Sequence, residues 1–179
     1  MRNHLSACRW PALLMLAVLA CPKPARAVDE DELKAAIILN IMTFVDWPAD
    51  ASPSAGDPWV LCAGSRSALA PALKALEGRP VHNGRLLVRD IQPGAITPPC
   101  HALYIEARDG LHAATSAQPG TLGSLLVISD DAALPSPAAS VILRAVGNRL
   151  GFDINLHAAR EARLQLSSKL VRLAKVVKQ

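Results

Sequence analysis

Three short runs, WVLCAG at 59–64, CHALYIEA at 100–107 and GSLLVISDD at 123–131, are almost continuous apolar sequence between turn-forming residues. A strand with one wet face alternates apolar and polar side chains, so runs without that alternation belong to strands covered on both faces. Between the first run and the later strand RLLVRDI lies SRSALAPALKALEG, whose Ser cap and Gly stop predict a short helix. A second strand-helix-strand unit joins 100–107 to 123–131 through a helix expected near 109–116. Strands alternating with helices predict one α/β domain with a mostly parallel sheet, right-handed crossovers and helices on both faces. SVILRAV and LGFDIN flank GNR at 147–149, the turn chemistry of a hairpin, which gives the sheet an antiparallel edge.

Two further helices are expected. DEDELKAAIILNIMTFVDW begins with acids suited to a helix N-terminus and stops before Pro48, with an apolar stripe at Leu33, Ile37, Ile41, Phe44 and Val45. Asn40 falls beside that stripe, where a buried amide requires hydrogen-bond partners. From Asn155, a plausible N-cap, the chain runs to its end without Gly or Pro. Leu156, Ala159, Leu166, Leu170, Leu173 and Val177 follow at three and four spacing, interrupted only by Arg163. This predicts one long closing helix, its first half packed on the sheet and its last turns open as a contact surface. The face opposite the stripe carries Arg160, Lys169, Arg172, Lys175 and Lys178.

Residues 1–27 read as a secretory signal. Arg2 and Arg9 precede the apolar core ALLMLAVLA, and ARA at 25–27 has the small residues of a cleavage site. The domain is therefore expected over 28–179. The rival reading takes VLAC as a lipoprotein signal acylated at Cys21, but Leu19 is bulky for it and Pro22 follows directly. Four of the 19 basic residues, Arg2, Arg9, Lys23 and Arg26, lie in the acid-free leader, so the rest of the chain balances its 15 acidic residues. Balanced charge and an aromatic content of 3% exclude a phosphate-tracking stripe with stacking rings, hence no nucleic-acid partner is expected.

Removing the leader also removes Cys8 and Cys21, and the remaining pair, Cys62 and Cys100, is most simply a disulfide in an oxidising compartment. The sharper alternative is a thiol nucleophile with a histidine base, although adjacent Cys100 and His101 point to opposite sides of an extended chain. His82, His101, His112 and His157 are scattered singly and do not make a metal set. No GxGxxG, GxxxxGK[ST] or GxSxG motif occurs, so no cofactor is expected. Ser129, Asp130 and Asp131 follow a strand where α/β proteins place functional loops; a solvated turn is the plainer reading, a cation site the sharper one.

ELKAAIILNIMTFVDWP, WVLCAG, CHALYI, GSLLVISD and above all RLGFDINLHAAREARLQLSSKLVRLAKVV resemble the YfiR family of periplasmic proteins, in order and over nearly all of 28–179. The resemblance implies a non-catalytic regulator that restrains an inner-membrane diguanylate cyclase by binding its periplasmic region. It further implies release through an OmpA-like outer-membrane lipoprotein, and homodimers. Cys62 and Cys100 match the family's N-terminal cysteine pair, in line with the disulfide. Asn40, Trp47, Phe152, Asn155, Arg160, Ser167 and Ser168 match motif positions and are read as mainly structural. The second cysteine pair of some members is missing here. The alternative function is a periplasmic small-molecule binder; a hydrolase built on Cys62, His101 or Asp130 has no motif behind it.

Overall fold

The computed structural model describes residues 29–92, 100–106, 122–130, 137–146 and 149–179. Its main sheet has the strand order β10-β8-β7-β6-β5-β2-β4-β3. The strands are β2 (Trp59–Gly64), β3 (Pro80–Val81), β4 (Gly84–Ile91), β5 (Ala102–Ile105), β6 (Leu126–Ser129), β7 (Val141–Val146), β8 (Arg149–Asn155) and β10 (Val177–Lys178). The five central strands are parallel, the two strands of each expected unit, β2 with β4 and β5 with β6, pair as adjacent neighbours, and β7 with β8 forms the expected antiparallel pair. The hairpin is not the edge, however, because β10 adds outside β8 with Val177 opposite Ile154.

Side chains alternate between two cores, as the pleat requires. Trp59, Leu61, Ala63, Tyr104, Ile128 and Leu143 face one core, and Val60, Cys62, Leu103, Ile105, Val127 and Ile142 face the other. The first core is covered by helices α1 (Glu30–Thr43), α2 (Ala70–Lys74), α3 (Leu156–Glu161) and α4 (Ser168–Leu173). The helix expected near 109–116 lies outside the described residues.

Helix α1 is capped by Asp29, whose carboxylate accepts from the Asp31 N–H. Its buried face is Ala35, Ile38, Leu39, Ile41 and Met42; of the expected stripe, Ile41 and Val45 are buried, Ile37 and Phe44 pack half-buried against the core, and Leu33 is exposed. The run AAIILNIM carries apolar residues around most of the helix, so periodicity alone does not select a face. Asn40 is exposed and anchors no buried network. On α2 the expected Ser cap is absent: Leu69 is the cap residue, and the Ser67 hydroxyl accepts from the Leu69 N–H at 3.2 Å. Gly78, at φ +77°, closes the following turn as expected.

The single closing helix is replaced by short pieces. Helix α3, capped by Asn155 through the Ala158 N–H, ends where Arg163 adopts φ +55°. The Arg163 N–H then reaches the Arg160 carbonyl and the Leu164 N–H the Ala159 carbonyl, the paired bonds of a Schellman stop. Ser167 restarts the helix by accepting from the Leu170 N–H. Between them β9 (Gln165–Leu166) pairs antiparallel with β1 (Val45–Asp46), tying the tail to the end of α1.

Candidate functional site

The carboxyl ends of the central strands are where doubly wound sheets place their ligands. The parallel strands run in the order β4-β2-β5-β6-β7, which reverses direction between β2 and β5. At that crevice the Ala68 N–H, in the loop after β2, donates to Glu106 Oε1 at 2.8 Å. A carboxylate of the chain itself thus occupies the kind of position in which such a fold holds a ligand's anion.

Beside it, the fully buried Tyr104 donates its hydroxyl to Asp130 Oδ2 at 2.9 Å, and Lys34 Nζ donates to the same oxygen at 2.9 Å. Lys34 also pairs with Glu30 at 3.1 Å. Burial pulls the Lys34 ammonium down most strongly, but the hydrogen bonds and charges of Asp130 and Glu30 together outweigh it and leave Lys34 above its ordinary value. Asp130 thereby joins α1 to the sheet; Asp131, the other half of the candidate cation pair, lies outside the described residues. Lys34, Asp130, Leu143, Arg144 and Ala145 line a small cavity of about 200 Å³. Arg144 is held there through Nε by the buried Asp153 carboxylate. No metal-binding cluster of three side chains occurs among the described residues.

At the other end of the strands four rings meet. Trp59 lies 4.8 Å from Trp47 and 5.0 Å from both His82 and His101, centroid to centroid. Trp47 Nε1 donates to the His101 carbonyl, and His101 Nδ1 accepts the Val60 N–H at 2.9 Å. An accepting Nδ1 carries no proton, so this histidine serves as a neutral splice between β2 and β5. Burial holds its pKa below the ordinary 6.5. Folding thus favours the neutral ring: the His101 contribution is complete above pH 6.5 and is lost as pH falls through 6.5 towards the lower folded value. The urea midpoint is expected to drop between about pH 7.5 and about pH 5.5, with a shallower drop in His101→Asn, whose Oδ1 can replace Nδ1 as acceptor. An unchanged slope in the variant would assign the acid sensitivity elsewhere.

Cys62 and Cys100 are bonded, with Cα atoms 5.8 Å apart, so neither sulfur is a free thiolate. The bond ties β2 to the segment entering β5. The motif residues do not converge on one site. Trp47 and Phe152 are buried in the first core, while Asn155 and Ser167 cap α3 and α4. Arg160 and Ser168 are exposed, as is His157; His112 lies outside the described residues. Lys34 and Tyr104, which meet at Asp130, were not singled out as site residues; only the placement of Asp130 after a strand pointed to this end.

Among the described residues the exposed large apolar side chains are Leu33, Leu173, Val176 and Val177, at the start of α1 and along the tail. No helix there is long and apolar enough to cross a membrane. A comparison with curated proteins found no match. The YfiR/HmsC-like family matches residues 31–175, from the first turn of α1 almost to β10, and the chain belongs to that family.

Proposed function

We propose that this protein is a periplasmic regulator that binds the periplasmic region of an inner-membrane diguanylate cyclase and holds the enzyme inactive, lowering cyclic di-GMP and biofilm formation. The family match over 31–175 carries this reading, since the family is known for periplasmic regulation of diguanylate cyclases. Export follows from the leader at 1–27, and an OmpA-like outer-membrane lipoprotein is the candidate that relieves the restraint. The protein acts as a homodimer and through its surface rather than by catalysis. Inhibition of this kind requires tighter binding to the inactive than to the active state of the cyclase, because only differential affinity moves an equilibrium. Deleting the gene in its host is expected to raise cellular cyclic di-GMP by about tenfold, the scale of a typical coupling free energy. Unchanged levels in cells expressing the cognate cyclase would overturn the proposal.

A further inference from the structure

The four exposed large apolar side chains among the described residues fall in two patches of opposite charge. Leu33, 42% exposed, stands among the exposed acids Asp29, Glu30 and Glu32. Leu173, Val176 and Val177, at 59%, 49% and 37%, stand among Arg172, Lys175 and Lys178, and no acidic residue follows Glu161. No ion pair among the described residues engages Glu32, Arg172, Lys175 or Lys178. The stem of Lys175 lies over Gly151 on β8, where an added Cβ would sit 3.2 Å from its Cγ.

Strand β10 is an edge of the sheet, and edge strands pair readily with other chains. Two copies of this edge cannot face each other comfortably, because Arg172, Lys175 and Lys178 would meet their own kind. What fits the edge is an acidic surface with an apolar centre, and the first turn of α1 is such a surface. We infer that the homodimer proposed above forms by docking the Asp29–Leu33 turn of each copy against the Arg172–Lys178 edge of the other, so that the contact is made twice and the pair closes. Apolar contact at Leu33, Leu173, Val176 and Val177 supplies burial, and the charges set the pairing and exclude the edge-to-edge alternative.

Sedimentation velocity on the purified exported protein tests this. The wild type is expected to dimerise, more weakly at high salt. The double variant Arg172→Glu, Lys175→Glu is expected to raise the dissociation constant about tenfold, as is Glu32→Lys, and combining all three to restore it within about threefold. All these side chains are exposed, and matching thermal melts confirm that each variant is folded. A dimer indifferent to both reversals, or a triple variant weaker than its parents, overturns the interface; a wild type that stays monomeric overturns the interface and the dimer together. None of these readings needs the cyclase, so they stand apart from the cyclic di-GMP result.

Discussion

Alanine at both Cys62 and Cys100 is expected to destabilise the fold by about 4 kcal/mol and to lower the melting temperature by about 10 °C. The bond spans 38 residues, and most of its effect lies in the unfolded chain, which loses a large loop's worth of freedom when the ends are joined. The folded state loses little, because backbone bonds such as His101 N–H to the Val60 carbonyl at 2.8 Å already hold the bridged segments together. Urea unfolding of the oxidised protein, the reduced protein and the double variant measures the difference. A shift below about 1 kcal/mol would show that the unfolded chain was already constrained without the bond.

Trp59→Ala is expected to cost about 3–5 kcal/mol, the range for emptying a large aromatic site in a core. The ring is 3% exposed, with Trp47, His82 and His101 against it and Gly84 close behind. Among the described residues its Nε1 has no hydrogen-bond partner, so Trp59→Phe loses volume but no bond seen there and should be clearly milder than the alanine change. Trp47→Phe removes the donor to the His101 carbonyl as well as the ring volume. Equal midpoints for Trp59→Phe and Trp59→Ala would contradict this account of the cluster.

How far these features could be read from the chain depended on how local their causes are. WVLCAG, CHALYIEA and GSLLVISDD were legible as buried strands because both neighbouring layers demand apolar residues at every position. The pairing of β7 with β8 was legible from the turn residues between them. The closing helix was not, since the three and four spacing of its leucines suits one long helix as well as two short ones. What decided between them was the backbone of Arg163, which enters a conformation that only Gly adopts freely, together with the pairing of β9 and β10 to distant strands. The local signal for the break is Ser167, whose side chain caps the second helix inside the otherwise continuous run. The ring cluster was invisible for another reason. Trp47, Trp59, His82 and His101 lie far apart in sequence and meet only once β2, β4 and β5 are in register.

The pairing of β1 with β9 sets the order in which the chain can mature. Val45 finds its partner only at Leu166, so a chain emerging N-terminus first completes β2 to β8 while this clasp is still open. Until the tail arrives, Leu164 and Leu170 are missing from the cover of the first core. A long-range closure of this kind comes late and leaves a sticky precursor exposed to other newly made chains. Loss of residues 164–179 would therefore appear first as poor yield and demand for holding chaperones, well before any defect in the proposed regulation could be scored.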